Sequence, residues 1–181
     1  MEQQQISLLM KALYFASHMH RDQRRKDREA SPYINHPVDL ANILVNEANI
    51  VDIEILCAAL LHDTIEDTRT TENDLIQEFG DNIAALVLEC TDDKSLPKVV
   101  RKQLQIDHAK HLSTKAKAVK IADKISNLRD VIKSPPSNWS LERRQQYFDW
   151  AKDVIDGLRG DWKHLEDIFD QVYLNKPLNL T

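Results

Sequence analysis

Asp52-Ile53-Glu54-Ile55-Leu56-Cys57-Ala58-Ala59-Leu60-Leu61-His62-Asp63-Thr64-Ile65-Glu66-Asp67 is the segment on which the fold turns. Its centre, Ile55 to Leu61, is apolar on every side, the pattern of a helix buried among other helices. The run is far short of the ~20 residues that would span a bilayer. It ends in four ionisable groups, His62, Asp63, Glu66 and Asp67. If the helix continues through them, His62 and Glu66 share one face at i, i+4, and so do Asp63 and Asp67. Ionisable groups at the end of a buried helix are costly unless paired, solvated or bound to a cation. Carboxylates are also misplaced at a helix C-terminus, where the dipole favours cations. That misplacement favours a metal nearby, the alternative for Glu66 and Asp67 being a solvated C-terminal turn.

Outward from this segment, apolar residues recur at three- and four-residue steps and alternating runs are scarce, so the expected fold is an all-α bundle of about eight or nine helices. Ile6 to His20 forms the first, and His18 and His20 at its end would complement the dipole as imidazolium. Pro37 suits the first position of the second helix. Thr71 caps a short helix that Gly80 stops, and Asp81 begins the next, to about Thr91. Pro97 starts a helix to about His111, and Ser113 or Thr114 caps a long one to about Ile132. Pro135-Pro136 is the clearest break. Helices from Ser140 to Arg159 and from Asp161 to about Leu174 follow. That tail is too short for a second core, so residues 1–181 read as one domain, a core over about 6–132 with a helical pair, 140–174, packed on it.

The chain has 181 residues, with 24 Lys and Arg against 29 Asp and Glu, a net charge of −5. No global basic field is present, so neither nucleic acid nor a membrane surface is an expected partner. Glycine stands only at Gly80, Gly157 and Gly160, which excludes glycine-rich phosphate loops and the nucleophile elbow. Phosphate chemistry here would have to use side chains or a metal. Cys57 and Cys90 both sit in apolar stretches and read as small core residues. The polar N-terminus, Glu2 followed by three glutamines, resembles neither a signal peptide nor an anchor. A cytoplasmic setting is expected.

Two further features join His62-Asp63. His36 stands just before a helix in Pro32-Tyr33-Ile34-Asn35-His36-Pro37, between two prolines that restrict the backbone. In Ala118 to Val131, apolar residues cover about two thirds of the helix circumference. Asp123 and Asn127 share the remaining window, while Lys117, Lys124 and Arg129 interrupt the arc, so the helix is expected to be partly exposed. Two histidines and two aspartates form a nitrogen–oxygen set suited to manganese, iron, zinc or nickel. Such an ion lowers the pKa of a coordinated water toward neutrality.

His36, His62-Asp63 and Asp123 resemble the H…HD…D signature of the HD-domain metal-dependent phosphohydrolases. Arg24 to Asp27, Pro32 to Pro37, Ala58 to Thr68, Thr91 to Lys94 and Lys120 to Asp130 resemble the hydrolase half of the RelA/SpoT proteins, and most closely its stand-alone form, the small alarmone hydrolases. The resemblance covers nearly the whole chain. It implies an HD-type helical bundle and Mn²⁺-dependent removal of pyrophosphate from the 3′ position of guanosine tetra- or pentaphosphate (ppGpp and pppGpp), with one ion per chain. It implies His36, His62, Asp63 and Asp123 as metal ligands, and Glu66 and Asp67 as the pair that orients and deprotonates the attacking water. Asn127 is a polar contact near the site. Arg25, Lys26, Lys98, Arg143 and Tyr147, with Trp139 behind them, would meet a small phosphorylated nucleotide. Ala30 departs from the family, which usually has glycine there. Two other readings are a 2′-phosphatase acting on NADPH or another nucleotide, and a helical interaction or sensor module without catalysis. The complete ligand set argues against the last.

Overall fold

The computed structural model describes residues 2–27 and 29–178; Met1 and residues 179–181, the ends of the expected domain, lie outside the described residues. The order is α1 (Gln3–Met19), α2 (Asn35–Asn42), a π-helical turn (Ile43–Glu47), α3 (Ile53–Leu61), α4 (Thr64–Asp67), α5 (Glu72–Phe79) and α6 (Asp81–Cys90). Then follow α7 (Lys98–Ala109), α8 (Thr114–Lys133), α9 (Leu141–Asp156) and α10 (Lys163–Tyr173). Among the described residues, strand-like pairing is limited to one bridge, Arg24 with Pro32, so the fold is all-α. No described helix is long and apolar enough to cross a membrane.

α3 is the central rod. Asp52 caps it, accepting from the backbone N–H of Glu54 and Ile55 at 2.9 and 3.2 Å, and every residue from Ile55 to Leu61 is buried. It packs against α1, α2, α6 and α8. Ser113 caps α8, which is buried along most of its length. α8 forms a shared wall, with α2, α3 and α6 on one side and α9 and α10 on the other. Cys57 and Cys90 are buried free thiols, and burial pushes each thiol up to about 12.

Three expectations need correction. The third helix does not run unbroken to Asp67. α3 stops at Leu61, whose terminal carbonyl accepts from the Thr64 hydroxyl at 2.7 Å, and Asp63 turns the backbone (φ −99°, ψ 0°) before α4 restarts. Thr64 satisfies a carbonyl that the next turn would otherwise need, so the break costs little. His62 and Glu66 therefore straddle the break, while Asp63 and Asp67 stay one turn apart, the Asp67 N–H donating to the Asp63 carbonyl at 2.8 Å. Lys124, one of the three charges that interrupt the apolar arc of α8, is not an exposed one; it is buried, with 3% of its surface accessible, while Lys117 and Arg129 are half-buried. Finally, His20 is not a solvated imidazolium but a buried ring whose pKa burial pushes down.

Candidate metal centre and basic face

α2, α3 and α8 each bring one group to a common point. His36 lies in the first turn of α2, behind a turn in which the Asn35 and His36 N–H groups donate to Pro32 and Tyr33 carbonyls at 3.1 and 3.0 Å. His62 is the C-cap of α3, and Asp123 sits in the middle of α8. One ligand atom from each of His36, His62 and Asp123 lies within 4.8 Å of the others, and all three residues are buried. His36 Nε2 is 3.2 Å from Asp123 Oδ1, and His62 Nε2 is 4.0 Å from the same oxygen.

The donor chemistry fits a divalent cation. His62 Nδ1 donates to the Ala59 carbonyl at 2.8 Å, which leaves Nε2 as the nitrogen that can ligate once it is unprotonated. That Nε2 is buried and has no hydrogen-bond partner among the described residues. Asp63 Oδ2 is only 2.9 Å away, but as an ion-pair contact, not an aligned hydrogen bond. His36 is held in the same way, with Nδ1 against the Ser126 hydroxyl at 3.2 Å and Nε2 facing inward. Partners on the outer nitrogen that fix the ring are the usual support of a metal-binding histidine. Asp63 stands beside the three, its Oδ2 4.0 Å from His36 Nε2 and bonded by the Tyr33 hydroxyl.

Burial penalises charge here, and neighbours then decide each group. Burial pushes His36 down despite Asp123, so the ring favours the neutral form that ligates. For His62, burial is outweighed by Asp63 and Asp123, and its pKa is raised. Asp63, against burial, is held well below the usual carboxylate range by His62 and His36. Asp123 is likewise held low, by Lys124 and the two histidines. Lys124 Nζ donates to Asp123 Oδ2 at 2.9 Å and Asn127 Nδ2 to Oδ1 at 2.6 Å. Asn127 thus orients a carboxylate through the i, i+4 relation read from the sequence.

Glu66 and Asp67 follow on α4. Glu66 Oε2 accepts from the Asp92 N–H at 3.2 Å, and its Oε1 faces Arg101 at 3.6 Å. Its pKa is raised, by burial first and then by the charges of Asp63 and Asp92. Asp67 accepts from Gln23 Nε2 at 2.7 Å and from Lys94.

A cationic and aromatic face gathers nearby. Lys98 is pushed down by burial and by Arg143, Lys26 and Arg101, which all bear on it. Burial, Lys98, Lys124 and Arg143 bring Lys102 down to about 8. Lys102 Nζ lies 5.3 Å from the Tyr147 ring centroid and 4.4 Å from that of Trp150, with Lys124 4.6 Å from the latter. Arg143 stacks on Trp139 at 4.7 Å, and Trp139 and Trp150 flank Tyr147 at 5.2 and 5.3 Å. Burial keeps Tyr147 a neutral phenol. Of the expected nucleotide contacts, Lys26, Lys98, Arg143 and Tyr147 come together here. Arg25 is instead tied to Asp130 and, at 3.4 Å, to Asn127. Tyr33, Gln23, Lys94, Lys102 and Lys124 also contact these groups but were given no role from the sequence, whereas Arg101 was noted there beside Lys98 as a basic residue that could meet phosphates. For Lys102 and Lys124 the available signal was a lysine four residues after Lys98 and one beside Asp123.

An HD-domain family model matches residues 12–148. The mouse protein named guanosine-3′,5′-bis(diphosphate) 3′-pyrophosphohydrolase MESH1 is 51% identical over 172 residues, covering 95% of this chain and 96% of that protein. The human protein of the same name is 49% identical over the same shares. A solved structure of a metazoan ortholog of SpoT that hydrolyzes ppGpp superposes with a TM-score of 0.89 at 47% identity, covering 92% of this chain and 94% of that one. With the ligand triad, the helical order and these likenesses in agreement, the chain belongs to the HD-domain family, in the group that contains the MESH1 proteins.

Proposed function

We propose that this protein is a metal-dependent guanosine-3′,5′-bis(diphosphate) 3′-pyrophosphohydrolase, converting ppGpp to GDP and pppGpp to GTP with release of pyrophosphate. The observation that carries the reading is the buried His62 Nε2, without a hydrogen-bond partner among the described residues, aimed into a histidine–carboxylate cluster beside a cationic, aromatic face. His36, His62, Asp63 and Asp123 would hold the ion. Mn²⁺ is supported by the mixed nitrogen–oxygen donor set and by the family resemblance. When bound, such an ion activates water and polarises a phosphoryl oxygen.

The chain's own residues supply the rest. Glu66, with its raised pKa, accepts the proton of the attacking water, and Asp67 orients that water. Asn127 and Lys124 hold Asp123 in place. Lys26, Lys98, Lys102 and Arg143 neutralise the phosphates, while Tyr147, Trp139 and Trp150 supply a stacking surface for the base; Arg25, paired with Asp130, would reach a phosphate only by exchanging that partner. Of the C-terminal pair, α9 contributes Arg143 and Tyr147 and α10 packs on α8, so we take the chain as one working unit. The free buried thiols support a cytoplasmic setting.

The test is hydrolysis of ppGpp and of NADPH by metal-stripped protein, with and without added Mn²⁺, with the products identified. GDP and pyrophosphate appearing only with metal is the expected result. Inorganic phosphate from NADPH, with no ppGpp turnover, would replace this substrate with a 2′-phosphate ester. No turnover of either by metal-loaded protein would overturn the reading.

A further inference from the structure

Asp67 is held from behind by a relay that begins on α1. His20, the C-cap of α1, is 2% exposed. Its Nδ1 lies 2.6 Å from Gln23 Oε1, and Gln23 Nε2 donates to Asp67 Oδ2 at 2.7 Å. The backbone at Gln23 is also fixed, its N–H donating to the His20 carbonyl at 3.0 Å and its own carbonyl accepting from Tyr33 at 3.1 Å. The His20 ring packs on Tyr33, centroids 4.8 Å apart.

The chemistry of the relay has one direction. A carboxylate only accepts, so Gln23 must present its amide NH₂ to Asp67 and its carbonyl oxygen to His20. That carbonyl needs a donor, so His20 Nδ1 must carry the hydrogen. Nε2 is then a bare acceptor, and it is buried with no partner among the described residues. An orphaned acceptor is a cost, and Nδ1–H is the tautomer that leaves Nε2 orphaned. The ring is held in that state by its bond to Gln23.

We propose that His20 and Gln23 are positioning residues for Asp67. His20 prevents the Gln23 amide from flipping, and Gln23 fixes one carboxylate oxygen so that the other faces the reacting water. Lys94, which bonds Asp67 Oδ1, is half exposed and is the replaceable partner. The inference rests on the proposed hydrolase reading for what Asp67 does, but not for how Asp67 is held.

Two measurements test it on the full chain, loaded with diamagnetic Zn²⁺ for the spectrum and with Mn²⁺ for the kinetics. The first is the ¹⁵N spectrum of the His20 ring, which distinguishes the tautomers without any substrate. Nδ1–H is expected, and an Nε2–H ring would overturn the relay whatever the enzyme acts on. The second is ppGpp hydrolysis by variants with bound metal unchanged. His20→Phe keeps the ring packing on Tyr33 and loses the donor; Gln23→Glu sets an acceptor against Asp67. Both should lower kcat by about 10²-fold, the scale of a misplaced catalytic group, with KM little moved. His20→Asn restores a donor near the Nδ1 position and should recover most of the rate. Unchanged kcat in both damaging variants, or His20→Asn no better than His20→Phe, would overturn the proposal. If the unsubstituted chain does not turn over ppGpp, the substrate reading fails, and the ring spectrum still decides the relay.

Discussion

At Glu66 the same burial that makes the side chain a better base also works against the fold. Its pKa is raised by burial, with Asp63 and Asp92 adding to it. Ionising it therefore costs stability as pH climbs from the ordinary glutamate value through the raised one, and the cost stays above that. Glu66→Gln should raise Tm at neutral pH, lose the advantage at acid pH, and lower kcat by about 10²–10⁴-fold; calorimetry at two pH values and steady-state kinetics check both halves. Ala30 is a second local conflict. Its φ of 49° is left-handed, where a side chain costs about 1–2 kcal/mol, which explains the glycine that the family places there. Asp27 holds the turn by accepting from the Ser31 N–H at 3.0 Å. Ala30→Gly should stabilise the chain by about 1 kcal/mol in urea titration, after the added freedom of the unfolded state is offset. His36, His62 and Asp123, which the fold brings within 4.8 Å of one another, were singled out in the sequence by residue type and position, as was Asp63 beside them. Gln23 and Lys102 were not, because their roles come from neighbours 44 and 48 residues away, Asp67 and Trp150.

Among the elements, hydropathy patterning placed nearly every helix, since period and caps are local properties. The break after Leu61 escaped it, because a side-chain bond from Thr64 to a terminal carbonyl leaves no trace in hydropathy. The α7–α9 contact is equally silent in sequence. A Cβ at Gly157 would fall 2.7 Å from Ala109 Cβ, where the C-terminal ends of α9 and α7 meet. At the other end of the contact the Trp150 indole donates to the Lys102 carbonyl at 3.0 Å. Gly157→Ala should wedge the pair apart, costing about 1–3 kcal/mol as overpacking does. Because α7 carries Lys98, Arg101 and Lys102, it should also raise KM more than it lowers kcat. Denaturant titration and kinetics on one preparation would show whether the two effects travel together.

For the whole molecule, the ligand triad joins helices that are far apart in the chain, through His36, His62 and Asp123. An ion held there would link α2, α3 and α8, so chelation should lower Tm, and adding Mn²⁺ should restore it with the logarithm of its concentration over Kd. His62, raised by Asp63 and Asp123 over the effect of burial, must shed its proton to ligate. Mn²⁺ affinity should therefore rise as pH climbs past the ordinary imidazole value and through the raised one, as calorimetric titration would show; an affinity that does not rise with pH there would contradict the role given to His62. The ammonium groups of Lys102 and Lys124 lie beside the indole of Trp150, and Arg143 lies over Trp139. Trp162 is elsewhere, its indole donating to the Thr114 carbonyl at 2.7 Å. The chain thus carries its own optical gauge: charges drawn from the two indoles toward an arriving phosphate should change the colour and yield of their emission, while a Trp162→Phe protein keeps the whole signal.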